Sequence, residues 1–132
     1  FGSALDKVFI LIGTNDIGKE IPQSETLENL EGVIQKISRE YPLAQIQLLS
    51  VLPVNEGEEY KGTVHLRTNE KIQNLNRAYQ GLASIYTNVH FIDLYETLLD
   101  ETGQLGQKFT TDGLHLTIAG YALLSSELDK YL

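Results

Sequence analysis

Two short clusters hold the residue types that nucleophilic chemistry needs. The first is Thr111-Asp112-Gly113-Leu114-His115-Leu116. An aspartate three residues before a histidine, in a turn ahead of a helix, can fold back onto the ring. Such a pair fixes one imidazole tautomer and stabilises the protonated form. That is the orienting and proton-transferring part of a catalytic triad. An Asx-turn beside a solvent histidine fits the same residues, so spacing alone leaves both readings open. The second cluster is Gly13-Thr14-Asn15-Asp16. An asparagine amide at the end of a buried strand is a rigid, uncharged donor suited to a developing oxyanion. An asparagine that closes a turn on its own backbone is the alternative there.

The elements that must carry these clusters can be read from periodicity. Asp6 to Gly13 contains the apolar run Val8-Phe9-Ile10-Leu11-Ile12, ending at a glycine. An uninterrupted run of this kind predicts a strand buried on both faces, as in a parallel sheet. It also calls for neighbours on both edges, because a long bare apolar edge is an aggregation hazard. A polar loop is expected from Gly13 to Ser24, holding Gly18 and Pro22. A helix should follow from about Glu25 to Tyr41, with Ser24 as its cap. Its apolar positions Leu27, Leu30, Ile34, Ile37 and Tyr41 step by threes and fours. A second strand is expected over Gln45–Leu52, stopped by Pro53. A polar loop then leads to a helix over about Val64–Tyr86, which His65 would open. Val89 to Ile92 reads as a third strand. A stretch with a short helical piece follows, from Leu94 to Phe109. The last helix should cover Ile118–Tyr131, capped by Thr117, with Ile118, Tyr121, Leu124, Leu128 and Leu132 as its stripe. Tyr41, Tyr79 and Tyr121 are read as core residues with wet hydroxyls.

The alternation β-α-β-α-β-α implies a parallel sheet with helices on its faces. In such sheets the ligand site lies beyond the carboxyl ends of the strands. The loops after Gly13, Leu52 and Ile92 therefore deserve most weight. Asn55, Tyr60 and Arg67 fall in or just after the second of these, where they can line a substrate pocket.

Taken together, the two clusters resemble the SGNH (GDSL) hydrolase family of serine esterases and lipases. In that family a Gly-x-Asn-Asp motif follows the third strand and supplies the oxyanion asparagine. An Asp-x-x-His motif ahead of the last helix supplies acid and base. Gly13-Thr14-Asn15-Asp16, Asp112-Gly113-Leu114-His115 and the Gly120-Tyr121 pair match in order and separation. In detail the chain is most similar to bacterial members of the platelet-activating-factor acetylhydrolase type. The resemblance implies a three-layer α/β/α, flavodoxin-like fold with its N-terminal strands missing. It implies a carboxylic-ester hydrolase with His115 as general base, Asp112 as its orienter and Asn15 as oxyanion donor. Gly13, Asp16 and Asn55 are placed at the substrate loops, with Asp16 chiefly bracing its own loop. A small-molecule ester is the implied substrate, and no cofactor or metal is required.

One part of the family pattern is not present. The family's nucleophile lies in a Gly-Asp-Ser motif after the first strand, and the sequence has no Gly-Asp-Ser. The chain opens Phe1-Gly2-Ser3 and has no methionine. Residues 1–132 are therefore expected to be the C-terminal portion of one hydrolase domain, with the serine supplied by a missing N-terminal segment. Ser3 cannot replace it, because six or seven extended residues would hold it roughly 20 Å from Asn15. Ser24 is expected at a helix cap, Ser50 inside a strand, and Ser125 and Ser126 within a helix. The alternative to an esterase is a catalytically inactive α/β module that binds a ligand or partner.

Composition narrows the classes further. The chain has 132 residues, 42% hydrophobic and 21% charged, which fits one globular domain. No apolar run approaches the length of a membrane span. Without cysteine there is no disulfide scaffold, zinc-thiolate site or thiol nucleophile. A net charge of -8 argues against sequence-independent nucleic-acid binding. His65, His90 and His115 have no close spacing, so no metal signature arises.

Overall fold

The apolar run forms strand β1, Lys7–Ile10. It pairs in parallel with β2, Gln45–Leu49, in the register Val8 to Ile46 and Ile10 to Leu48. β2 pairs in parallel with β3, Val89–Ile92, with Ile46 opposite Val89 and Leu49 opposite Ile92. The computed structural model describes residues 7–131. Within them the sheet has three strands in the order β1-β2-β3.

Alternation along the strands sends side chains to two cores. Val8, Ile10, Ile46, Leu48 and Val89 join one cluster with Leu30, Ile34, Ile72 and Tyr79. Those partners come from helices α2, Gln23–Glu40, and α4, Asn69–Ala83. On the other face Phe9, Leu49 and Ile92 meet Leu124 and Leu128 of helix α5, Ile118–Asp129. The result is the three-layer α/β/α arrangement, a parallel sheet flanked by helices.

Several elements differ from the sequence reading. Among the described residues β1 pairs with β2 alone, so it stands at the edge of the sheet they form. Ile10, the last residue of the strand, is buried, and just past it Leu11 is 45% and Ile12 is 42% exposed among the described residues. The expected polar loop contains a short helix, α1, Thr14–Gly18. α2 begins earlier than predicted, and Pro22 occupies its N-cap instead of Ser24. Proline's fixed φ holds the entry extended, and its missing N–H leaves nothing there to satisfy.

β2 stops at Leu49 rather than Leu52, yet the chain beyond it stays buried. Two asparagines of α4 take over from the ladder. Asn76 accepts from the Val51 N–H at 2.7 Å and donates to the Val51 carbonyl at 3.0 Å. Asn69 does the same for Val54, at 2.9 and 2.8 Å. Separated by two helical turns, they lie on one face and clamp the strand extension in place of a β partner.

The long helix predicted over Val64–Tyr86 is two pieces. α3, Lys61–Val64, closes at His65, whose φ is 54°. His65 thus ends a helix rather than opening one. Thr68 then caps α4 by accepting from the Lys71 N–H at 3.1 Å. α5 is capped by Thr117, which accepts from Gly120 at 3.2 Å. Its expected stripe packs inward at Leu124 and Leu128 but not in the first turn. Gly120 and Leu124 face inward, while Ile118 and Tyr121 are exposed. The cause is close packing, since a Cβ on Gly120 would lie 2.9 Å from the Phe109 carbonyl oxygen. Leu132, the last residue of the expected stripe, and Ser3 lie outside the described residues. Tyr79 is fully buried, but its hydroxyl is not wet, because it donates to the Ile12 carbonyl at 3.0 Å.

Candidate active site

The turn from Thr110 to Leu116 is built around one carboxylate. Asp112 Oδ1 accepts from the backbone N–H groups of Leu114, at 2.9 Å, and His115, at 2.7 Å. Its other oxygen lies 2.6 Å from His115 Nδ1. The Asx-turn and the aspartate–histidine pair, alternatives in the sequence, are both present and share the same side chain. Thr110 fastens the turn from below. Its hydroxyl donates to the His115 carbonyl at 2.7 Å and accepts from the Gly113 N–H at 2.9 Å. Gly113 has φ 85°, and a Cβ there would lie 2.5 Å from Tyr60 Cβ. Only glycine fits a left-handed residue pressed onto that ring.

Two effects oppose each other at Asp112. Partial burial pushes its carboxyl up, and the imidazole of His115 with two backbone N–H groups pulls it down. The hydrogen bonds win, and the pKa falls to about 2. An ionised Asp112 holds a proton on Nδ1, which leaves Nε2 as the basic nitrogen. The His115 side chain is 72% exposed, and that of Asp112 31%.

The second cluster begins at Gly13, with φ 124°. A Cβ at Gly13 would lie 2.6 Å from the Tyr79 hydroxyl and 3.1 Å from Leu75 and Val51. The chain turns sharply here, out of the sheet and into α1, so Asn15 follows directly and is exposed. Asp16 points back into the fold, where its carboxylate accepts from the Thr26 hydroxyl at 2.9 Å. It joins α1 to the first turns of α2.

Both clusters stand at the carboxyl end of the sheet. A cavity of about 100 Å³ joins them, lined among others by Ile12, Thr14, Val51, Pro53 and Leu114. Leu114 belongs to the Asp112–His115 turn and Thr14 precedes Asn15, so the two clusters share one apolar hollow. Asn55 lies behind it and is buried. Its side chain donates to the Leu105 carbonyl at 2.9 Å and accepts from the Gly57 N–H at 3.0 Å. The structure thus gives Asn55 a bracing position rather than a free amide. Ser50 is also buried, and its hydroxyl accepts from the Leu94 N–H at 2.8 Å. Among the described residues no group of three or more histidines and carboxylates is placed to hold a metal. Among them no helix is long and apolar enough to cross a membrane.

Two contributors were poorly marked in the sequence. Thr110 looks like any loop threonine, and only its place two residues before Asp112 hints at a role. Arg67 reads as a pocket-lining cation, but its guanidinium reaches Thr14 and Asn15.

With this geometry in view, comparison with known proteins is specific. Residues 2–123 match the GDSL-like Lipase/Acylhydrolase family. The chain belongs to this family. A solved structure from Streptococcus pneumonia, provisionally described as a platelet activating factor, is 58% identical, with a TM-score of 0.97. The match covers 99% of this chain and 61% of that one. A GDSL-like lipase from Bacteroides thetaiotaomicron is 27% identical, with a TM-score of 0.72, over 98% of this chain and 63% of that one. The N-acylneuraminate cytidylyltransferase of Escherichia coli O18:K1:H7 is 34% identical over 122 residues. That alignment takes in 92% of this chain and 27% of the relative. The chain therefore spans less than two thirds of each of these proteins.

Proposed function

We propose that this chain is the C-terminal portion of a domain that hydrolyses carboxylic esters of small molecules through a Ser-His-Asp mechanism. The observation that carries the reading is the 2.6 Å contact between His115 Nδ1 and Asp112 Oδ2, in a turn sharing its cavity with the Asn15 turn. The nucleophilic serine belongs to sequence upstream of this chain.

In this mechanism His115 Nε2 takes the serine proton as the serine oxygen bonds to the acyl carbon. The carbonyl oxygen becomes an oxyanion, held by the Asn15 side-chain amide and backbone N–H groups. Collapse breaks the ester C–O bond, and the alcohol leaves with the proton from His115. Water then attacks the acyl-enzyme and gives a proton to Nε2. Release of the acid returns that proton to the serine. Asp112 keeps the ring in one tautomer and stabilises the imidazolium at both steps. Gly13, Asp16 and Asn55 hold the loops that carry these groups. No cofactor enters the scheme.

The test uses the full-length polypeptide that carries this sequence. It compares turnover of 4-nitrophenyl acetate, and labelling by a fluorophosphonate, between wild type and His115→Ala. Turnover in the variant should fall by about 10³-fold or more, as when a triad member is removed. Wild-type turnover in His115→Ala would remove the proposed base.

A further inference from the structure

Arg67 lies between the two halves of the site. Its Nε donates to the Thr14 carbonyl at 3.0 Å and to the Thr14 hydroxyl at 3.2 Å. Nη2 reaches Asn15 Oδ1 at 3.4 Å. Nη1 faces the carbonyls of Thr63 and Val64 at 3.3 and 3.4 Å. Val64 in turn underlies the His115 turn, since a Cβ on Gly113 would lie 2.9 Å from Val64 Cγ2. One planar side chain thus ties the segment beneath His115 to the turn that presents Asn15. Its seat is close-fitting: a Cβ on Gly18 would come within 2.7 Å of the guanidinium carbon.

The polarity of these contacts matters. A guanidinium can only donate, so the end of the Asn15 amide that it faces is the oxygen. The nitrogen is turned away, and among the described residues no acceptor takes it. An oxyanion donor needs this arrangement, with its N–H groups presented and its orientation set before charge develops. A lysine would keep the charge but lose the fork that spans Thr14 and Asn15 together.

We propose that Arg67 is a positioning residue for catalysis, fixing the Asn15 amide with its nitrogen toward the acyl oxygen. This rests on the reading of Asn15 as oxyanion donor. The effect belongs to kcat, because the oxyanion exists only on the way to and from the tetrahedral intermediate.

The experiment measures kcat and KM for 4-nitrophenyl acetate in the full-length polypeptide, for Arg67→Ala, Arg67→Lys, Asn15→Ala and Arg67→Ala/Asn15→Ala. Asn15→Ala should lower kcat by about 10²–10³, the loss typical of one oxyanion donor. Arg67→Ala should lower kcat by about 10-fold with KM little changed, a fraction of that loss. On the Asn15→Ala background it should add almost nothing, since the group it positions is gone. A wild-type kcat in Asn15→Ala overturns the oxyanion reading, and this proposal with it. An impaired Asn15→Ala beside a wild-type kcat in Arg67→Ala overturns the role of Arg67 alone. So does a loss in Arg67→Ala that is undiminished when Asn15 is absent, which marks a general structural brace. If Arg67→Ala does not fold, Arg67→Lys decides. A several-fold lower kcat is expected there, and a wild-type value overturns the proposal.

Discussion

The backbone N–H of Asn55 donates to the carbonyl of Gly113 at 2.9 Å. This bond joins the strand extension after β2 to the middle of the Asp112–His115 turn. It places a residue 58 positions away in sequence against the turn that carries the proposed base. The position of His115 is therefore set partly by a segment that contributes no reacting group.

The Asn55 side chain can be tested separately from its backbone. Asn55→Ala removes a donor to the buried Leu105 carbonyl and the acceptor of the Gly57 N–H. The expected loss of stability is about 1–3 kcal/mol, the cost of leaving a buried polar group unpaired. Urea unfolding of wild type and variant checks it, and an unchanged midpoint would show the brace to be idle.

Gly13 offers a test of backbone and packing together. Gly13→Ala forces a side chain into φ 124° and toward the Tyr79 hydroxyl. Destabilisation should exceed about 1 kcal/mol, because strain and overlap add. Removing the hydroxyl as well, in Gly13→Ala/Tyr79→Phe, should relieve the overlap but not the φ. Only partial recovery of the melting temperature is therefore expected, and full recovery would show that φ costs nothing.

The low pKa of Asp112 makes a signed prediction for acid stability. Its folded value, about 2, lies below the ordinary carboxylate value. Its ionised form therefore stabilises the fold fully above about pH 4. That contribution is lost as pH falls toward about 2. The stability gap between wild type and Asp112→Asn should shrink steadily across that window. Denaturant midpoints read at several pH values would reveal it, and a gap constant down to pH 2 would deny the shift.

Thr117 should behave as a helix cap with a second task. Its hydroxyl accepts from the Gly120 N–H at 3.2 Å and donates to the Lys108 carbonyl at 2.9 Å. Thr117→Ala is expected to cost about 1 kcal/mol. Thr117→Ser keeps the oxygen and should cost much less. Equal losses in the two variants would assign the effect to the methyl group instead.

The order of elements was legible because β1 and β2 are apolar runs stopped by Gly13 and Pro53, β3 is a short run ending at Asp93, and α2 and α4 carry clear stripes. The division of the predicted long helix at His65 was not, since a left-handed histidine leaves no periodic mark. The expected stripe of α5 holds at Leu124 and Leu128 but fails in the first turn, where Ile118 and Tyr121 outrank Gly120 by hydropathy. A glycine's close approach to Phe109 decides that turn, and that is a tertiary fact. Asp112 and His115 were readable as a pair because their spacing lets them meet locally. The bridge through Arg67 was not, because it joins residues far apart in the chain. The asparagine clamps were hidden for a related reason. Asn69 and Asn76 look polar in a sequence, yet both are buried because α4 needs them to hold Val51 and Val54.

Among the described residues β1 stands at the margin of the sheet, and that sets how this stretch of chain would open on heating. Asn15 hangs from a strand joined on one side among the described residues, whereas the Asp112–His115 turn is stitched by Thr110, Asn55 and Tyr60. Marginal strands open at lower free energy than central ones. In residues 7–131 taken alone, opening of β1 would leave the Asn15 turn held through Arg67 and Thr26, while the carboxylate–imidazole pair stays assembled.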